Sequence, residues 1–314
     1  VKTGDFKVFM SQQEICTIVA KDNIARMSFL PDIGATGFSL QFNYENTPRE
    51  MLFLPPDFWE KSPQGICGGW PFLFPVCGRL ARHNKHEVYS YRQRYYHLPI
   101  HGFAAQMPWE VKNCYHDTVT FILKDTPATM ESYPFKFEIT LEYKIYSQVL
   151  YCYQRYTNLS DVPMPYYAGF HPYFLTPSPE KGKEKVMLSC KPEKILRYNK
   201  TLTDIAGEEA LFSFPVSITQ SYINEKLLRI ETQSEIKLSY PDGLNISLNM
   251  DERNFQKKDP LFKYIQLYTL PDKAFFCVEP WMSFPNALNT LDGVRWLMPR
   301  DYDESLFMLY SNIL

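Results

Sequence analysis

This sequence predicts an all-β fold of many antiparallel strands in large sheets with few short helices, on three observations. Several segments alternate apolar and polar residues with period two. Strand-favouring aromatic residues are abundant, at 22 Tyr, 23 Phe and 5 Trp among 314 residues. Prolines, 24 against 13 glycines, leave little room for long helices.

Taken along the chain, Met51 to Pro75 is proline-interrupted and reads as a stiff loop carrying one helical turn at Asp57 to Lys61. Thr118 to Lys124 reads as a strand. Phe137, Ile139, Leu141, Tyr143 and Ile145 alternate with Glu138, Thr140, Glu142 and Lys144. On a helix these apolar residues would scatter around the axis, whereas on a strand they make one buried face. Val149 to Thr157 continues the β pattern, and Asn158 to Pro179 is a second proline-stiffened loop. Ile236, Leu238 and Tyr240 are separated by Pro241-Asp242-Gly243 from Leu244, Ile246, Leu248 and Met250. The latter alternate with Asn245, Ser247 and Asn249, which makes a hairpin with its turn chemistry in place. Lys263 to Thr269 and Ala274 to Val278 are further strands, and Ala287 to Leu291 a helical turn. The charged runs Glu180 to Lys185 and Asp251 to Lys258 read as solvated loop tips. No internal repeat, low-complexity tract or linker divides the sequence, so residues 1–314 are expected to form a single domain.

Composition narrows the function. Lys plus Arg is 33 and Asp plus Glu 35, a net charge of −2, which gives no global reason to bind polyanions or acidic membranes. Neither a nucleic-acid nor a membrane partner is expected. Seven cysteines, an odd number without a CxxC pair, argue against a disulfide framework and for a reducing, cytoplasmic home. No apolar run approaches the roughly twenty residues needed to span a bilayer, and Val1 to Met10 has no signal-peptide core. The sequence also lacks GxGxxG, P-loop, GxSxG and HExxH patterns, the usual markers of nicotinamide, nucleotide, serine-hydrolase and zinc chemistry.

What remains is a set of polar residues held in aromatic, proline-rich contexts: Arg79 in Pro-Val-Cys-Gly-Arg-Leu, His101 in Ile-His-Gly-Phe, His171 in Gly-Phe-His-Pro-Tyr-Phe, and Glu279 in Val-Glu-Pro-Trp. His171 and Glu279 each precede a proline, which pushes them to extended backbone at a loop or strand end and aims their side chains. His101 precedes Gly102, where a missing side chain admits a ligand or another backbone. A histidine and a carboxylate facing one substrate can move protons in opposite directions near neutral pH. Trp70, Trp109 and Trp281 flank these motifs and offer apolar faces to a sugar ring. His83, His86, His97 and His116 are read as structural.

Gly-Gly-Trp-Pro-Phe-Leu-Phe-Pro (68–75), Gly-Arg-Leu (78–80), His-Gly-Phe (101–103), Phe-His-Pro-Tyr-Phe (170–174), Gln-Leu-Tyr-Thr (266–269) and Val-Glu-Pro-Trp (278–281) stand in an order that resembles the aldose 1-epimerases, the galactose mutarotase-like group. The resemblance implies that family's large antiparallel β-sandwich, the galactose mutarotase-like supersandwich, and an isomerase acting on a monosaccharide without metal or redox cofactor. By motif, it implies Glu279 as the base that takes the anomeric proton and His171 as the acid that protonates the ring oxygen. His101 would hydrogen-bond the ring oxygen or a neighbouring hydroxyl, Arg79 would bind sugar hydroxyls, and Gln266 would orient the sugar beside Glu279, with Trp281 as a wall.

Three departures from the family pattern bear on the substrate. Gly78 stands where the family often has an asparagine before its arginine, so Arg79 and Arg82 compete for that role. No aspartate occurs near Ser221-Tyr222, where one commonly binds sugar hydroxyls. Relatives acting on hexose 6-phosphates carry an arginine just after His-Gly-Phe-Ala, whereas Ala105-Gln106 occurs here; Arg79, Arg82, Lys85, Arg92 and Arg94 remain as basic alternatives. The expectation is an aldose 1-epimerase for a free sugar, monomeric or homodimeric. A hexose-6-phosphate 1-epimerase and a non-catalytic sugar-binding or regulatory module are the alternatives.

Overall fold

A computed structural model of the chain describes residues 14–230, 235–250 and 260–313. Val1 to Met10 and Asp251 to Lys258 lie outside the described residues. The alternating segments become neighbouring strands of a nine-stranded antiparallel sheet. Its order is Glu110–Cys114, Thr118–Lys124, Phe137–Tyr146, Val149–Asn158, Tyr302–Ile313, Leu244–Met250, Glu235–Ser239, Met187–Ser189 and Val216–Ser217. In Phe137–Tyr146 the five apolar residues of the repeat are no more than 1% exposed, the one-sided burial that period two demands. Burying each such side chain contributes roughly 1.5–3 kcal/mol, and a one-residue register slip would turn all five outward.

An eight-stranded antiparallel sheet faces this one. It runs Ile205–Glu209, Pro192–Tyr198, Lys226–Ile230, Tyr264–Tyr268, Phe275–Trp281, Gly169–Phe170 and Phe72–Leu73, with Tyr173–Leu175 also paired to Phe275–Trp281. Phe307 from the first sheet packs edge-on against Phe170 of the second, centroids 4.7 Å apart, and stacks on Trp70 at 5.6 Å. Both sheets therefore share one continuous apolar core. A four-stranded sheet, Cys16–Val19, Ala25–Leu30, Thr36–Tyr44 and Thr47–Glu50, joins the same core.

The structure departs from the sequence expectations in several places. Asn245 and Ser247, the polar partners in the alternation, are buried at 4% and 0% exposed, because their strand lies inside the sheet between two partners and is covered on both faces. Glu180 to Lys185 is no simple loop tip: Lys183 is 1% exposed. Its ammonium donates to Thr269 Oγ1, Leu270 O and Lys273 O at 2.8, 2.8 and 2.6 Å, three acceptors for its three protons. Trp70 and Trp109 are core residues. A helix at Pro127–Ser132 was not anticipated; Thr126 and Thr129 form its capping box, with proline in its first turn. The turns expected near Asp57 and Ala287 are the helices Phe58–Lys61 and Ala287–Thr290.

Candidate active site

The strand expected to end at Val278 continues to Trp281, and this extension builds the site. Phe276 and Val278 point into the main core, so Cys277, Glu279 and Trp281 alternate onto the opposite face. The neighbouring strand Tyr264–Tyr268 does the same: Ile265 and Leu267 are wholly buried in the core, while Gln266 pairs directly with Glu279 across the ladder. Glu279 thus sits within a strand, not at its end. His171 falls between the short strands Gly169–Phe170 and Tyr173–Leu175, both hydrogen-bonded to the Glu279 strand. Its backbone N–H donates to Pro71 O at 3.0 Å, and its ring stacks on Tyr173 at 4.6 Å and 9°.

These residues open onto a cavity of about 530 Å³ lined by Arg79, His101, His171, Gln266, Glu279 and Trp281, a size that suits a small ligand. Arg79 lines it and Arg82 does not. Tyr198, Tyr268, Gln64, Gln106, Leu202, Glu225 and Pro285 complete much of the wall. None of these was singled out as a site residue from the sequence: Tyr268 lies inside the Gln-Leu-Tyr-Thr motif and Gln106 just past His-Gly-Phe-Ala, while Tyr198, Gln64, Leu202, Glu225 and Pro285 come from loops or strand ends without a motif of their own.

His171 Nε2 lies 3.4 Å from Glu279 Oε1, with side chains 7% and 1% exposed. Neither carboxylate oxygen has a hydrogen-bond partner among the described residues, and His171 Nδ1 is likewise unpaired. Burial pushes the Glu279 carboxyl well above the usual range; the nearby Trp281 N–H pulls weakly the other way without reaching hydrogen-bond geometry. Burial, reinforced by His101, drives His171 well below the ordinary imidazole value.

His101 is fixed by a reciprocal pair of bonds. Its backbone N–H donates to Gly78 O at 3.0 Å, and Gly78 N–H donates to its Nδ1 at 3.1 Å. With Nδ1 accepting, the neutral ring carries its proton on Nε2. Burial, then the Arg79 guanidinium, lowers the His101 pKa to about 3, so at neutral pH the side chain is an uncharged N–H donor. His101, Leu202 and Glu225 line the cavity with φ of 66°, 56° and 54°. Such left-handed backbone is costly for non-glycine residues and gathers where function demands it.

Two further contacts stiffen the walls. Tyr198 donates to Gln266 Oε1 at 2.6 Å while Gln266 Nε2 donates to Leu267 O at 3.0 Å, leaving one amide proton of Gln266 for a ligand. Asn286, itself left-handed at φ 66°, clamps the Arg79 segment. Its backbone N–H donates to Arg79 O, its Oδ1 accepts from Ala81 N at 3.0 Å, and its Nδ2 donates to Asp204 Oδ1 at 2.8 Å. Asp204 Oδ2 in turn accepts from Thr203 beside Leu202.

Comparison with known proteins agrees with this architecture. The curated LacX protein of Lactococcus lactis subsp. lactis is 29% identical over 247 residues, 73% of this chain and 79% of LacX. Among solved structures, a Synechocystis protein matches with a TM-score of 0.80 at 24% identity over 96% of this chain and 97% of the other. A galactose mutarotase-like protein from Clostridium acetobutylicum matches at 0.78 and 18%, covering 97% and 96%; at these identities the likeness is one of fold. The family model for aldose 1-epimerase matches residues 17–286, most of the sheet framework and every residue of the acid-base cluster. The chain belongs to the aldose 1-epimerase family.

Proposed function

We infer that the protein interconverts the α and β anomers of a free aldose by acid-base opening and reclosure of the sugar ring. The observation that carries this reading is the buried His171–Glu279 pair, 3.4 Å apart at a cavity wall with both carboxylate oxygens unpaired. A sugar lying across the pair supplies the missing partners.

The proton count follows from the two transfers the reaction needs. The pair holds one proton throughout: on His171, with Glu279 ionised, before the ring opens, and on Glu279, with His171 neutral, afterwards. Glu279 takes the proton from the anomeric hydroxyl while His171 delivers one to the ring oxygen; the C1–O5 bond breaks and an open-chain aldehyde forms. Rotation about C1–C2 and reclosure by the reverse transfers give the other anomer. Burial makes the carboxylate a stronger base and the imidazolium a stronger acid, so both shifts favour the forward transfer. His101 donates its Nε2 proton to the ring oxygen or an adjacent hydroxyl, Arg79 and Gln266 hold further hydroxyls, and Trp281 forms an apolar wall.

A neutral sugar suits the remaining wall. Glu225 supplies the carboxylate absent at Ser221-Tyr222, and Gln106 is uncharged. Among the described lining residues Arg79 is the one permanent cation, a poor match to a phosphate dianion. Anomer-resolved NMR on a panel of free aldoses tests the reading: exchange is expected to accelerate over buffer for at least one sugar. Faster exchange of a hexose 6-phosphate than of its free sugar would replace the substrate assignment. Sugar binding by calorimetry with exchange at the buffer rate would replace the enzyme by a sugar-binding module.

A further inference from the structure

Cys277 has no part in the acid-base scheme, yet it stands two residues before Glu279 on the same strand face. One donor atom each from His171, Cys277 and Glu279 lies within 4.8 Å of the others, and all three residues are buried. We propose that these three side chains form a binding site for a thiophilic divalent cation of the Zn²⁺ type, whose occupancy switches the acid-base pair off.

The geometry is close to what such an ion needs. For three points no more than 4.8 Å apart, some position lies within 4.8/√3, about 2.8 Å, of all of them. Zinc prefers about 2.0–2.3 Å to nitrogen, oxygen and sulfur, so side-chain movements of about half an ångström close the site. The observed 3.4 Å between His171 Nε2 and Glu279 Oε1 already matches a tetrahedral edge at those bond lengths. One imidazole, one thiolate and one carboxylate are a mixed, borderline-soft set that suits zinc, whereas magnesium and calcium prefer oxygen throughout. The oxygens of Glu279, 1% exposed and without a hydrogen-bond partner among the described residues, are a second sign of a buried group lacking a ligand. His171 and Glu279 both line the cavity, so an ion entering it meets two of the three donors.

On binding, a metal–sulfur bond replaces the S–H bond of Cys277, and the proton passes to buffer, together with any proton then held by Glu279. The lone pairs that would exchange protons with a sugar are then occupied. The inhibition rests on the epimerase reading; the binding does not.

The test is calorimetric titration of chelator-treated protein with ZnCl₂ in two buffers of different ionisation enthalpy, for the wild type, Cys277→Ser and Cys277→Ala. One ion per chain with proton release is expected, weakened at least about tenfold in both variants, since even outer-shell changes cost 10–100-fold at zinc sites. Cd²⁺ added to the wild type is expected to give a sulfur-to-metal absorption band, which needs no variant to fold. Binding that is equally tight without the Cys277 thiol, or no thiolate band and no stoichiometric binding, overturns the site. In the anomer-exchange assay, Zn²⁺ is expected to abolish catalysis and EDTA to restore it. If Cys277-dependent binding is present but exchange continues undiminished, the site stands and the assignment of His171 and Glu279 as acid and base fails.

Discussion

His171 Nε2 and Glu279 Oε1 stand 3.4 Å apart, and burial moves their proton affinities toward each other, the carboxyl upward and the imidazole downward. Outside a protein the carboxylate and imidazolium would be the stable forms of such a pair. Here the opposite proton distribution becomes accessible; in the proposed reaction a sugar bridging the two groups gives the proton its route.

Removing either group should therefore cost most of the reaction and little of the fold. Glu279→Gln and His171→Asn are each expected to lower kcat by about 10²–10⁴, the usual contribution of a positioned acid or base, with unchanged far-UV circular dichroism. Wild-type turnover in either folded variant would remove that residue's role.

The pH-rate profile should carry an inverted assignment. The active pair holds one proton, so activity falls at low pH when His171 and Glu279 are both protonated and at high pH when neither is. With His171 shifted down and Glu279 up, the acid limb of kcat/KM reports His171 and the alkaline limb Glu279, as apparent values of the pair. Glu279→Asp is expected to displace the alkaline limb and leave the acid limb in place.

Stability should follow the same shifts. Glu279 has a raised folded pKa, so its contribution is fully present below the unfolded carboxyl value and lost as pH rises through the folded one. The lowered His101 and His171 contribute above the unfolded imidazole value, and that contribution is lost as pH falls toward their folded values. Glu279→Gln is expected to raise Tm, with a gain that grows between pH 5 and 8. A Tm gain independent of pH would count against a desolvated carboxyl.

Asn286 holds Arg79 without touching the acid-base pair. Asn286→Gly keeps the left-handed backbone accessible but removes the bonds to Ala81 N and Asp204. Leaving those groups unpaired costs about 1–3 kcal/mol. The expected result is a lower Tm and a KM raised about tenfold with kcat within about twofold. Asn286→Ala should be less stable still, through its positive φ. Equal losses in kcat and KM would place Asn286 outside the positioning of Arg79.

Gly102 joins the His101 turn to the core. A Cβ there would lie 2.2 Å from Phe74 O, at a φ of 75°. Neither the backbone carbonyl nor the left-handed turn can yield cheaply, so Gly102→Ala is expected to destabilise by more than about 3 kcal/mol, read as a fall in denaturation midpoint.

Much of this molecule was legible in one dimension. The apolar face of Phe137–Tyr146 and the Pro241-Asp242-Gly243 hairpin depend on side-chain alternation and turn chemistry, which are local. Arg79, His101, His171, Gln266, Glu279 and Trp281 could be named together because each sits in a motif that resembles a known family. Other features could not be read this way. Lys183 is charged and flanked by charges, yet it is buried, because its acceptors belong to a loop far along the chain. Tyr198 and Glu225 reach the cavity from segments with no pattern of their own, and Asn286 clamps the Arg79 segment from another. Local sequence sets which face of a strand each side chain takes. Burial, and with it the proton affinities of His171 and Glu279, depends on what the distant strands and loops exclude from water, and only their packing decides that.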